Sequence, residues 1–359
     1  MDFLQFRAVC MPWRAGTPNP QLGKRTIDDS FHPREWILLP LPEAPAEATR
    51  RQLLNVTTRK LVQVHLPELA GHSVVEGPSG APEGMLLLRD ERTLVVRLLN
   101  PVTRHVVDLP SLMTLRRGRR TRRGRIPYGF KEDYKVTGAG FAGDYSTVVV
   151  SLGCINRMAV AKPGDRRWTL VNLDPMPEYP RVLATATSRG RFYCFDRQGL
   201  KVVDLARRRL KLVAATPASW SWKFSSFSLI DDDGTLVLVC GSSRIVPVIG
   251  LGHGQCRRVT VIELFHVDLE DEDDVKLLPI LGIGEYAVFV GWLGGVLMPS
   301  AGRCCSAHAN TVYFRFDLCQ RDFCAFQLST NCDAYGLPPV QECRFAREIA
   351  SYVTTRRSA

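Results

Sequence analysis

The sequence lacks any uninterrupted apolar run of the roughly 18–20 residues that a membrane-spanning helix needs, so it predicts no membrane span. Its first residues have no basic stretch, uniform apolar core or cleavage site, so no secretory leader is expected. It has no G-x-S-x-G elbow, and no Ser, His and Asp stand in a recognisable triad frame. It has no P-loop, and no G-x-G-x-x-G follows a strand. Few stretches can hold a long amphipathic helix, which argues against a parallel βαβ fold built on crossover helices. These absences weigh against a membrane protein, a serine hydrolase and a nucleotide-binding α/β enzyme. Leu251-Gly252-His253-Gly254-Gln255-Cys256 reads as a hairpin loop instead.

What is present points to a packed, turn-rich chain. It has 359 residues, long enough for two domains or one large repeat architecture. Apolar residues make up 45% and charged residues 23%, ordinary globular values, so a sizeable core is available. Gly (28) and Pro (23) are spread along the chain, as expected of many short elements. Eleven cysteines, an odd number without a leader, predict free thiols in a reducing compartment, either nucleus or cytoplasm.

Short β-rich runs dominate from Trp36 onward. They include Leu61–Val64, Leu94–Leu99, Ser146–Val150, Leu236–Cys240, Val259–Phe265 and Tyr286–Val290. Each is bounded by Gly, Asp, Asn or Pro, the signature of strands, and the pairing is expected to be antiparallel. Two stretches share a frame. Leu53-Leu54-Asn55-Val56-Thr57-Thr58-Arg59 leads through a strand to Leu66-Pro67, and Leu98-Leu99-Asn100-Pro101-Val102-Thr103-Arg104 leads through a strand to Leu109-Pro110. Asn55 and Asn100 lie 45 residues apart, and looser echoes follow at Asp165, Asp204 and Asp268. A β repeat of roughly 40–50 residues is the length of a four-stranded blade, which cannot bury both faces until neighbours stack on it. The expected fold is therefore all-β: a β-propeller of about six blades, in preference to a sandwich.

The two ends differ from this pattern. Phe3, Phe6, Val9, Cys10 and Trp13 fit one face of a short N-terminal helix over residues 1–16, with Pro12 as a blemish. Residues 17–35 are polar and Pro-punctuated and read as a linker. The tail, 339–359, is expected to hold a helix over Gln341–Arg357, with Phe345, Ile349 and Val353 on one face.

The β region, 36–338, resembles the plant F-box-associated family with a KIB-type β-propeller. The resemblance rests on Leu98–Arg104 with Leu109-Pro110, Met158–Asp165 with Trp168-Thr169, Gly190–Gly199 ahead of Val202–Leu205, and Leu281–Gly291 with Asn310–Phe314 after it. Asp2–Cys10 with Trp13-Arg14 is similar to the last part of an F-box, the helical module that docks on the Skp adaptor of a cullin-based ubiquitin ligase. The resemblance implies a protein-interaction scaffold, not an enzyme, that serves as substrate receptor of an SCF-type ligase. Its partners would be Skp, a cullin and an unidentified substrate protein, with Phe3, Phe6, Val9, Cys10 and Trp13 as adaptor-binding residues. The chain departs from the family in lacking the earlier F-box helices and their Leu-Pro start before Met1, and in carrying Pro12 within the matched helix. A longer gene product, loss of Skp binding, and packing of the short helix on the propeller all follow as alternatives.

Other candidate sites keep plainer readings. Cys304, Cys305, His308, Cys319 and Cys324 cluster late, but they do not form the two short-spaced pairs of a zinc site, and no metal or other cofactor is expected. Asp231-Asp232-Asp233-Gly234 lacks the acids an EF-hand needs at its first and last ligand positions and reads as a hairpin turn. The acidic run of Asp268 and Glu270–Asp274 reads as a solvated loop. His65, His105 and His266 fall near strand ends and would be the groups of a propeller hydrolase, the enzyme alternative.

The formal net charge of +11 falls to +4 once Arg116, Arg117, Arg119, Arg120, Arg122, Arg123 and Arg125 are set aside, so the basic character is local. This run reads as an inter-strand loop, a nuclear-localisation signal or a phosphate-binding segment. No aromatic residue lies inside it to stack bases, which weighs against nucleic acid. A nuclear basic protein without a ligase role, or a non-functional F-box relative, is the remaining alternative function.

Overall fold

The computed structural model describes residues 32–39, 49–58, 60–75, 82–115, 134–153, 157–172, 182–217, 220–247, 256–271, 275–291, 294–300, 307–314, 324–328 and 332–333. Its strands form six sheets of three to five strands each, the blades of a six-bladed β-propeller. Among the described residues the only α-helix is α1, Trp220–Lys223. The contacts divide the chain into two units.

The first unit holds blades 1 to 3 and the turn 205–208. Blade 1 is β1 (Trp36–Leu38), β2 (Arg50–Asn55) and β3 (Leu61–His65); blade 2 is β4 (His72–Val74), β5 (Leu86–Asp90), β6 (Val95–Leu99) and β7 (Val106–Ser111). Blade 3 is β8 (Val136–Ala142), β9 (Thr147–Leu152), β10 (Arg157–Ala161) and β11 (Thr169–Val171). The apolar runs seen in the sequence are buried on both faces, and the period of two sorts them. Leu86, Leu88 and Leu99 pack with Leu66 and Leu69 beside blade 1. Leu87, Val96 and Leu98 point the other way and pack with Phe141, Val148 and Val150 of blade 3. Continuous Leu and Val runs are what a strand buried on both faces requires.

The second unit holds blades 4 to 6. Blade 4 is β12 (Ala184–Ser188), β13 (Arg191–Asp196), β14 (Gly199–Asp204) and β15 (Arg209–Ala215); blade 5 is β16 (Ser226–Asp232), β17 (Thr235–Pro247), β18 (Cys256–Asp268) and β19 (Lys276–Ile280). Blade 6 is β20 (Tyr286–Gly291), β21 (Gly294–Pro299), β22 (Thr311–Phe314), β23 (Cys324–Gln327) and β24 (Cys332–Asp333). The sorting repeats here. Leu236, Leu238 and Cys240 face the blade 4 side, and Val237 and Val239 face the blade 6 side.

Blade 6 corrects the expectation of uniformly antiparallel pairing. Its order is β21-β20-β22-β23-β24, and β20 runs parallel to β22. The intervening residues 292–310 contain β21, which pairs on the far side of β20. That leaves enough chain to return and lay β22 alongside β20 in the same direction, as a parallel neighbour requires.

Candidate interaction surface

The repeat frame is a turn device. Asn55 ends β2, and its Oδ1 accepts hydrogen bonds from the Thr57 amide (3.1 Å), the Thr58 amide (2.6 Å) and the Thr58 hydroxyl (2.8 Å). Asn100 follows β6, and its Oδ1 accepts from the Val102 and Thr103 amides, each at 3.0 Å. Both asparagines are buried and both precede the last strand of their blade. The short amide side chain satisfies turn amides that would otherwise lie buried and unpaired. The later echoes work similarly: Asp165 accepts from the Lys162 amide (2.8 Å), and Asp268 from the Glu270 amide (3.1 Å). Asp231–Gly234 is the expected hairpin turn between β16 and β17. Asp233 (φ 46°) and Gly234 (φ 85°) both adopt the left-handed backbone that a type I′ turn demands.

The segment Gly190–Gly199 is equally structural. Asp196 Oδ1 accepts from the Gln198 amide (2.8 Å) and the Gly199 amide (3.2 Å), while its other oxygen pairs with Lys201 Nζ. Gly199 is needed because a Cβ there would lie 2.0 Å from the Ala214 carbonyl oxygen. Burial pushes the Cys194 thiol up to about 12; the Asp196 carboxylate adds to this and Lys201 opposes it. Burial, followed by the Glu263 carboxylate, also pushes the Cys240 thiol well up. Cys194 and Cys240 are free, as the sequence predicts, and protonated thiols of this kind are chemically inert at neutral pH.

Trp168, quoted for the resemblance, ties blades 2 and 3. It is buried, and its indole N–H donates to the Pro110 carbonyl at 2.7 Å. The equivalent tie in the second unit was missed by sequence reasoning. Trp220 of α1 stands 4.7 Å from Phe265, 5.4 Å from Phe224 and 6.5 Å from Phe195, ring centre to ring centre. A four-residue helix has too little length to show a hydrophobic period, so only the clustering of Trp220, Trp222 and Phe224 could have hinted at it.

The three candidate histidines lie in different blades: His65 ends β3, His105 lies between β6 and β7, and His266 sits in β18. Burial alone pushes the His105 ring below its ordinary value of 6.5, and its Nε2 is enclosed without a partner. Among the described residues no three His, Cys, Asp or Glu side chains are grouped to hold a metal ion. No helix among them is long and apolar enough to cross a membrane. Phe3, Phe6, Val9, Cys10 and Trp13 lie outside the described residues, as do Arg116, Arg117, Arg119, Arg120, Arg122, Arg123 and Arg125, and the tail 339–359.

Two surface features of the second unit suit a protein partner. A shallow pocket beside β15 has an apolar floor of Tyr193, Val202, Val213, Leu269 and Val275, with Arg191 and Lys211 supplying two cations. β15 is an edge strand of its sheet, and Leu212 in it is exposed. The second feature is the stretch from β19 into β20, where Leu278 in β19, Leu281 in the connection and Tyr286 at the start of β20 are exposed.

The profile of the KIB1-4 β-propeller matches residues 47–335, most of the chain and every described strand but β1. The chain belongs to the KIB1-4 β-propeller family. It is 26% identical to the F-box protein SKIP23 of Arabidopsis thaliana over 263 residues, 66% of this chain and 58% of that protein. The chain thus spans less than two thirds of the length of the curated relative it matches. Among solved structures, a Bacteroides thetaiotaomicron protein of unknown function aligns with a TM-score of 0.39 at 10% identity, covering 84% of this chain and 66% of that one. The Cps50 (Swd1) β-propeller domain of Myceliophteria thermophila aligns with a TM-score of 0.37 at 11% identity, covering 84% and 85%. At such low scores the likeness carries no weight. The KIB1-4 propeller and an F-box relative together make this chain a candidate protein-interaction scaffold.

Proposed function

We propose that the chain is the substrate-receptor part of an SCF-type ubiquitin ligase and has no catalytic activity of its own. The match of the KIB1-4 propeller to residues 47–335, joined to the likeness to an F-box protein, carries this reading. The propeller binds the substrate protein, and the pocket beside β15 is one contact point. An edge strand offers backbone hydrogen bonds, and the pocket, lined by Tyr193, Val202, Val213, Leu269 and Val275, takes an apolar side chain. The N-terminal residues Phe3, Phe6, Val9, Cys10 and Trp13 face the Skp adaptor, which brings the cullin. The arginines from Arg116 to Arg125 act as a nuclear-localisation signal, so the protein works in the nucleus and cytoplasm.

The test is affinity recovery from the native source, using this chain and a form extended upstream of Met1. Skp and cullin are expected with at least one form and lost on Phe6→Asp with Trp13→Asp. Recovery with neither form overturns the ligase reading.

A further inference from the structure

Two strands of blade 5 outrun their neighbours. β17 and β18 stay paired, with no shift of register, from Leu236 with Val267 to Pro247 with Cys256. β16 accompanies β17 only as far as Gly241, and β19 accompanies β18 only from Leu264 onward. Residues 242–247 and 256–261 therefore form a two-stranded ribbon that no other described strand joins. Its base is anchored: the Ser225 amide donates to the Gly241 carbonyl (3.0 Å), and Ile262 and Leu264 are buried.

The same bond fixes which backbone groups face outward. The Gly241 carbonyl points to β16, so the alternation of an antiparallel strand turns Ser242, Arg244 and Val246 toward Val261, Val259 and Arg257 of β18. In β18 the backbone groups of Cys256, Arg258 and Thr260 then point to the open edge. Proline and bulges are common means of blunting an edge, and this row has neither, whereas Pro247 removes a donor from the β17 edge.

Charge decides what such an edge accepts. Three consecutive pairs of the ribbon each hold an arginine: Arg244 with Val259, Ile245 with Arg258, and Val246 with Arg257. No Asp or Glu occurs from Thr235 to Ile262, and Glu263 is engaged by Lys223 (2.5 Å). Asp231 to Asp233, with Asp268 and Glu270, lie at the opposite end of the strands, about 30 Å away along β17. That is well beyond the roughly 8 Å over which charge is felt at physiological salt. A second copy pairing on this edge would set arginine against arginine, which like charge opposes. No aromatic residue occurs from 241 to 261 to stack the bases of a single-stranded nucleic acid. We propose that the edge of β18 from Cys256 to Thr260 takes an extended acidic segment of a partner protein as an added strand. The segment's backbone pairs with Cys256, Arg258 and Thr260, and its carboxylates occupy the positions across from Arg257 and Arg258. Calling that partner a ligase substrate rests on the receptor reading; the binding itself does not.

The experiment measures binding of the purified full chain to a fluorescein-labelled peptide, Thr-Val-Glu-Glu-Glu-Val-Thr, by fluorescence anisotropy. Saturable binding is expected, weakening as salt rises. It should be at least about tenfold weaker when Gln replaces each Glu of the peptide, and when Arg257→Glu is combined with Arg258→Glu in the chain. The same peptide N-methylated at every peptide bond keeps its charge but loses its backbone donors, and its binding should be lost. Hydrogen exchange in 256–263 should slow on binding, while that of β14 stays the same. Protection of Leu236–Cys240 checks that the variant is folded, and the changes made in the peptide need no variant. The proposal is overturned if the parent peptide does not bind, if its Gln or N-methylated form binds as well, or if the arginine reversals change nothing. It is equally overturned if a single-stranded oligonucleotide of the same length binds more tightly, which assigns the ribbon to nucleic acid. Protection of 256–263 that grows as the chain alone is concentrated assigns the edge to a second copy and overturns it too. Skp and cullin recovery does not depend on this edge, so the two tests fail separately.

Discussion

Blades 2 and 3 are tied by a tryptophan with a hydrogen bond, and blades 4 and 5 by a tryptophan among rings. Trp168 is oriented by one polar contact, its indole N–H on the Pro110 carbonyl. Trp220 is oriented by Phe195, Phe224 and Phe265. The first joint can be weakened without emptying it, because a smaller ring still fills the space. The second depends on volume, so truncation leaves a cavity whose walls cannot all close. One architectural problem, joining two blades that each need a covered face, is thus met by direction in one unit and by packing in the other.

The largest expected effect breaks the ring joint. Trp220→Ala should cost about 3–5 kcal/mol in denaturant unfolding, the usual range for deleting a buried tryptophan. Trp168→Phe keeps most of the volume, leaves the Pro110 carbonyl unpaired, and should cost about 1–3 kcal/mol. If both substitutions cost the same, the distinction between the two joints is wrong. Asn100→Ala removes an acceptor of two turn amides and should cost about 1 kcal/mol, with Asn55→Ala close to it, read from the shift of the unfolding midpoint.

The smallest effect depends on pH. His105 has a depressed pKa in the folded chain, so the unfolded state takes up its proton first. Stability therefore falls as pH drops below His105's ordinary value of 6.5, and the loss is complete once the folded-state ring is also protonated. In His105→Gln this part of the acid-side loss should disappear. An unchanged pH profile would show that the enclosed Nε2 carries no cost.

The strands were legible because runs such as Leu236–Cys240 are short, continuous and apolar, as a strand buried on both faces requires, and are bounded by turn residues. The repeated turn was legible because Asn55 and Asn100 do the same hydrogen-bonding work 45 residues apart. The parallel pairing of β20 with β22 was not, since β21 looks like any other hairpin strand and nothing local records which side of β20 it takes. Trp220 was hidden because its partners come from β13, β18 and the stretch after α1, which no local period connects. The pocket beside β15 was hidden for a related reason: Arg191 begins β13, Lys211 lies within β15 and Val275 just precedes β19.

The central claim is that this propeller selects proteins for a ubiquitin ligase. Half-lives of the proteins recovered with the chain, measured in cells of its native source with and without it, test that claim most directly. The account predicts at least one bound protein whose half-life lengthens when the chain is removed. It should shorten again on return of the parent chain, but not on return of a form carrying Arg191→Glu and Lys211→Glu. Bound proteins whose half-lives stay the same in all four conditions would contradict it.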